Sequence, residues 1–260
     1  MPVIQGAGCP INVEIEGPEN APVLMLSNSL GTDLHMWDDQ VKPFTQHFRL
    51  LRYDRRGHGQ SGVPKGPYSM DQFGRDVLAV LDALKIKTVN WCGLSMGGMV
   101  GQWLGANAPE RIDKLILSNT SCYMEDKKIW NDRIKFAQEK GLDAMVGPNM
   151  ERWFTADFRA RAPQAIERMT RMFVATKLEG YVACCEAIRD MDFRESNTRI
   201  TAPTMIIIGR HDPATTPAAG EAIHQQIKGS QVAILDTAHI ANIEAPQKYA
   251  DTVIGFLLNK

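Results

Sequence analysis

Val89-Asn90-Trp91-Cys92-Gly93-Leu94-Ser95-Met96-Gly97-Gly98-Met99-Val100 is the stretch whose reading decides the fold. Its first half is strand-like and its second half is Gly-rich and helix-like. Gly93-x-Ser95-x-Gly97 lies at the seam. A serine at a sharp strand-to-helix turn has its hydroxyl pushed clear of the backbone. The chain flanking such a turn must pass very close, which asks for residues without a Cβ two places before and two places after. The helix that begins past the serine aims free N–H groups and its positive dipole end at the spot where an oxyanion would form.

The chain on either side continues the alternation. Residues 3–7 and 10–16 alternate weakly before Gly17-Pro18-Glu19-Asn20, which fits a leading hairpin. Pro22–Ser27 is a short apolar run of the kind expected for a strand buried on both faces, and Phe48–Asp54 is the next strand. Ser69 and Gln72 form a capping-box pattern, followed by a helix face of Phe73, Val77, Val80, Leu81 and Leu84. Lys114–Ser118 is a further strand. From about Cys122 to Asn197 only helical periodicity appears. The β/α rhythm then returns with strands at Thr204–Ile208 and Gln231–Leu235 and helices at Pro217–Ile227 and Pro246–Leu258. Strands alternating with helices predict an α/β fold with a mostly parallel sheet flanked by helices. Residues 1–121 and 198–260 are expected to form its core. Residues 122–197 are expected to be a helical cap over the carboxyl ends of the strands, where such sheets bind ligands.

With 260 residues, 44% hydrophobic and 23% charged, the chain suits one globular core. A net charge of −1 gives no electrostatic case for nucleic acid. No apolar run approaches the ~20 residues of a membrane span. Met1–Gly6 lacks the basic and apolar regions of a secretory signal. The five cysteines are odd in number and contain no Cys-x-x-Cys, so they read as reduced thiols of a cytoplasmic protein.

A serine hydroxyl needs a base and a group to orient that base. His239 follows the strand ending at Leu235 by four residues and is the last of six histidines, which fits the order Ser…Asp…His. Asp212, four residues past Ile208, is the expected orienting acid. Its rival Asp236 is too close in sequence to His239 to reach behind the ring. Ser95, Asp212 and His239 are thus the expected catalytic set. The backbone N–H groups of Met96 and Leu30 are the expected oxyanion donors. His58 reads as a residue that holds its own Gly-rich loop together, and His35 as a secondary candidate to line the site.

Ser27-Asn28-Ser29-Leu30-Gly31-Thr32, Asp54-Arg55-Arg56-Gly57-His58-Gly59-Gln60-Ser61 and Cys92–Gly98, taken with these three sites, resemble the α/β-hydrolase superfamily over essentially the whole length. Within it they are similar to the 3-oxoadipate enol-lactonase family. Asn28-Ser29-Leu30-Gly31 departs from the His-Gly that many superfamily members carry there, although the backbone donor survives. The resemblance implies a small-molecule substrate, a five-membered enol-lactone bearing a carboxylate, opened through an acyl-enzyme with no metal or organic cofactor. The carboxylate would need a cation. Trp130 and Arg133 in the cap, spaced i, i+3, offer an aromatic wall beside a guanidinium, with Arg152 and Trp153 as the next pair. A carboxylesterase or a cofactor-free, haloperoxidase-like perhydrolase would use the same three residues. A small-molecule receptor on the same fold is the alternative from a different class.

Overall fold

A computed structural model describes residues 3–259. Its eight strands are β1 (Val3–Gln5), β2 (Pro10–Glu16), β3 (Val23–Ser27), β4 (Arg49–Tyr53), β5 (Val89–Leu94), β6 (Ile112–Ser118), β7 (Thr204–Gly209) and β8 (Gln231–Leu235). They form one sheet in the order β1-β2-β4-β3-β5-β6-β7-β8. The first two pairings, β1 with β2 and β2 with β4, are antiparallel. All later pairings are parallel. The leading hairpin thus serves as an antiparallel border on a parallel sheet. Strand β5, at the centre, is buried at every residue, Asn90 included, as a strand covered on both faces must be.

Helices α1 (Asp38–Thr45), α2 (Met70–Ala83), α3 (Met96–Asn107), α9 (Pro217–Gln226) and α11 (Pro246–Leu258) flank the sheet. The capping box at Ser69 and Gln72 is present, with each side chain bonded to the other residue's backbone. Helix α1 carries Pro43 inside it, and the proline hid it from the sequence reading. Between β6 and β7 the chain runs through α4 (Lys127–Lys140), α5 (Val146–Trp153), α6 (Ala156–Arg161), α7 (Pro163–Ala175) and α8 (Leu178–Asp190). An isolated bridge between Tyr123 and Asp192 closes the base of this insertion.

The elbow is shaped by steric need. Ser95 has φ 58° and ψ −117°, which strains a residue that has a Cβ. Neighbours hold it there. The Ser95 N–H donates to the Ser118 carbonyl of β6 at 2.8 Å, and the indole of Trp91 donates to the Gly97 carbonyl at 3.2 Å. A Cβ at Gly97 would fall on the Ser27 carbonyl at the end of β3, and one at Gly93 on the Gly97 carbonyl. Both glycines are required so that three strand ends and α3 can converge.

Among the described residues no helix is long and apolar enough to cross a membrane. Met1 and Pro2, part of the segment read above for a secretory signal, lie outside the described residues.

Candidate active site

The carboxyl ends of β3, β5 and β8 bring Leu30, Ser95 and His239 to one cavity of about 740 Å³, with Asp212 after β7 behind the His239 ring. Ser29, Leu30, Ser95, Met99 and His239 line its floor, and Trp130, Arg133, Arg152 and Trp153 from the insertion line its wall. His239 follows β8 and precedes α10 (Ala241–Glu244). Its Nδ1–H donates to Asp212 Oδ2 at 2.8 Å, and both residues are buried. The Ser95 hydroxyl and the His239 ring share the cavity. Among the described residues the hydroxyl has no hydrogen-bond partner, an arrangement common before substrate closes a site.

Asp212 is heavily supplied with donors. Oδ1 accepts from the Ala214 and Thr215 N–H groups at 2.8 and 3.0 Å. Oδ2 accepts from the Thr215 hydroxyl at 2.7 Å and from Asn119 Nδ2 at 3.1 Å, as well as from His239. Burial pushes this carboxyl up, but the His239 ring and the Thr215 donors outweigh it and hold the group below the usual carboxylate range. It is therefore ionised and accepting, as an orienting acid must be.

Asp236 is exposed and turned to His211, 2.8 Å away. The sequence reading saw no acid after β6 and passed over Asn119. That amide instead ties Asp212 to the Ala238 carbonyl beside His239, at 3.0 Å. Thr215 was also missed, although an Asp followed three residues later by Thr is a side-chain turn pattern.

Leu30 lies in the turn after β3 and lines the cavity, and Met96 follows Ser95 directly in the chain. Met96 opens α3, and the first bond of that helix is Met99 N–H to the Ser95 carbonyl. Neither the Met96 nor the Leu30 N–H has a partner among the described residues. The Leu30 turn is held by its neighbours. His58 Nε2 accepts from the Gly31 N–H at 2.9 Å, and Asp54 Oδ1 accepts from the Leu34 N–H at 2.8 Å. His58 therefore joins two loops rather than only its own. Burial, with the Arg55 cation beside it, pulls its ring down to about 3. His35 does not line the site. It sits half-exposed at 3.3 Å from Asp38, because the short turn Leu34–Trp37 buries its apolar members and turns the imidazole outward.

Arg133 lies over the rings of Trp130 and Tyr181, at 5.6 and 5.7 Å from their centroids. Its Nε donates to the Tyr181 hydroxyl at 2.7 Å and its Nη2 to Asn149 Oδ1 at 2.9 Å. Arg152 Nη2 donates to the same Asn149 oxygen. Burial, then the neighbouring Arg133 cation, pulls Arg152 down to about 10. Among the described residues neither arginine has a carboxylate within ion-pair distance. Tyr181 and Asn149 were missed by the sequence reading, since neither lies in a motif. Among the described residues no group of three or more His, Cys, Asp or Glu side chains is arranged to hold a metal ion.

Comparison with known proteins agrees with this architecture. A family model for the alpha/beta hydrolase fold matches residues 22–246. 3-Oxoadipate enol-lactonase 2 of Acinetobacter baylyi is 39% identical over 243 residues, covering 94% of this chain and 91% of that one. Enol-lactonase 1 of the same organism is 37% identical over 250 residues, covering 96% and 94%. The crystal structure of the enol-lactonase from Burkholderia xenovorans superposes with a TM-score of 0.97 at 43% identity, covering 99% of this chain and all of that one. The chain belongs to the alpha/beta hydrolase family, among the carboxylic-ester hydrolases that include these enol-lactonases.

Proposed function

We propose that the protein opens the lactone ring of 3-oxoadipate enol-lactone to give 3-oxoadipate. The observation that carries the substrate class is the wall of the cavity, where two guanidiniums without a carboxylate partner face the same space as Ser95 and His239. Desolvated cations left without an acid are costly unless an anion arrives. A carboxylate-bearing lactone supplies that anion.

In this reading His239 takes the Ser95 proton as the oxygen attacks the lactone carbonyl, and Asp212 steadies the imidazolium. The Leu30 and Met96 N–H groups receive the oxyanion. Collapse expels the ring oxygen as an enolate, which takes up a proton and tautomerises to the ketone. The acyl group stays on Ser95 until water, activated by His239, releases the second carboxylate. Trp130 and Arg133 hold the carboxylate end. No step calls for a cofactor.

Residues 122–197 act as a cap over a core formed by 1–121 and 198–260. Five free, buried cysteines fit a reducing cytoplasm. One observation favours a broader carboxylesterase as the second reading. A cavity of about 740 Å³ exceeds what one five-membered lactone fills. Turnover of the enol-lactone measured against p-nitrophenyl acetate separates the two. A higher kcat/KM on the lactone is expected, and a large excess on the simple ester overturns the lactonase reading.

A further inference from the structure

Asn149 is fully buried in α5, and its side-chain oxygen receives a hydrogen bond from each of two arginines. Its orientation is fixed by chemistry, because the amide turned over would present an N–H₂ group to two guanidinium donors. Its Nδ2 has no partner among the described residues. An aspartate would be the ordinary residue between two arginines, since a carboxylate accepts a bidentate guanidinium more strongly than an amide does. The amide instead sets the position of both cations and leaves their charge intact. The acids nearby do not quench it. Glu125 and Asp126 line the same cavity, but Asp126 caps α4 through the Lys128 N–H at 2.7 Å. Neither lies within ion-pair distance of Arg133 or Arg152 among the described residues.

The two arginines are held unequally. Arg133 uses Nε and Nη2 on Tyr181 and Asn149 and is stacked on two rings. Among the described residues Arg152 donates within the protein only through Nη2, which leaves Nε and Nη1 for a ligand. We propose that Arg133 and Arg152 together clamp a single carboxylate, and that Asn149 is the positioning residue that sets this clamp without neutralising it. The proposal deepens the reading above and rests on it for the identity of the substrate. Discrimination between carboxylated and neutral substrates then lies in a pair of cations and an uncharged acceptor, rather than in Arg133 alone.

The test is Asn149→Asp, which changes charge with almost no change in shape, alongside Arg152→Met. Three quantities are read for each variant: kcat and KM on the enol-lactone, kcat/KM on p-nitrophenyl acetate, and competitive inhibition by adipate, a saturated six-carbon dicarboxylate. For Asn149→Asp the loss of kcat/KM on the lactone should exceed that on the neutral ester by about tenfold or more, mostly through KM. Adipate inhibition should weaken by a similar factor. The melting temperature should hold or rise, because the new carboxylate pairs with both arginines. Arg152→Met should give the same split between substrates. A lactone KM and an adipate inhibition constant both within about twofold of the parent in Asn149→Asp would overturn the clamp, as would equal losses on lactone and ester. If the parent protein turns over neither substrate, the hydrolase reading fails. The adipate-induced rise in melting temperature, lost in Asn149→Asp or retained, then decides the clamp by itself.

Discussion

Replacing Asp212 by asparagine tests the orienting role at atomic detail. The carboxylate oxygens have different company, so the amide that replaces them has one tolerable orientation. Oδ1 accepts from two backbone N–H groups, and an amide N–H₂ placed there would face both. It must therefore take the Oδ2 side, where it faces one fixed donor, Asn119 Nδ2 at 3.1 Å, rather than two, the Thr215 hydroxyl can turn to accept, and His239 Nδ1 lies 2.8 Å away. There it donates to Nδ1 and drives the histidine proton to Nε2, the nitrogen that must be free to take the Ser95 proton. The wrong tautomer in an otherwise intact triad costs about 10⁴-fold in kcat, or about 5 kcal/mol of transition-state stabilisation. Steady-state turnover of p-nitrophenyl acetate and of the enol-lactone, with a thermal melt as fold control, measures this. A folded variant whose kcat stays within about tenfold of the parent on both substrates would refute the reasoning.

Three further perturbations follow from the same contacts. His58→Gln keeps an acceptor for the Gly31 N–H but removes a buried imidazole whose folded pKa of about 3 lies below its ordinary 6.5. Between those values the unfolded chain binds a proton that the folded one refuses. Stability therefore falls as pH falls, by up to ~1.4 kcal/mol per pH unit and roughly 5 kcal/mol in all. Melting temperature against pH should decline less steeply in this variant from about pH 6.5 down, and an unchanged slope counts against a buried neutral His58. Glu244 is buried and accepts from the Ala238 N–H at 2.8 Å, the Thr155 N–H at 3.2 Å and the Thr155 hydroxyl, so it ties the loop before His239 to the start of α6. Glu244→Gln turns one acceptor into a donor facing a donor, at a cost of about 1–3 kcal/mol. It should lower kcat by about tenfold while moving KM less, because the histidine loop loosens, and a loss confined to stability would contradict that link. Gly97→Ala puts a methyl group on the Ser27 carbonyl and should cost about 3 kcal/mol in denaturant unfolding, with most activity lost.

The sheet was legible because each central strand is a short apolar run ended by a turn, and the parallel order follows from the helices between them. Helix α1 was not, because Pro43 interrupts its pattern and its N-terminal Trp37 offers no side-chain cap. Ser95, Asp212 and His239 could be singled out because each follows a strand end, a position that sequence spacing reveals. Asn119 and Glu244 could not, since their roles depend on hydrogen bonds across long stretches of chain and polar residues at such places are ordinary. The arginines illustrate the same limit. Helical spacing paired Arg133 with Trp130, but that Arg133 and Arg152 meet on one amide oxygen depends on how α4 and α5 pack. No periodicity within either helix contains that.

The central claim is that Ser95 carries the acyl group between two chemical steps. Rapid-quench mass spectrometry of the protein mixed with p-nitrophenyl acetate tests it most directly. The account predicts a gain of one acetyl group, mapped to the peptide bearing Ser95, formed with a burst of nitrophenol and absent in Ser95→Ala. A label on any other residue, or turnover that survives in Ser95→Ala, would contradict it.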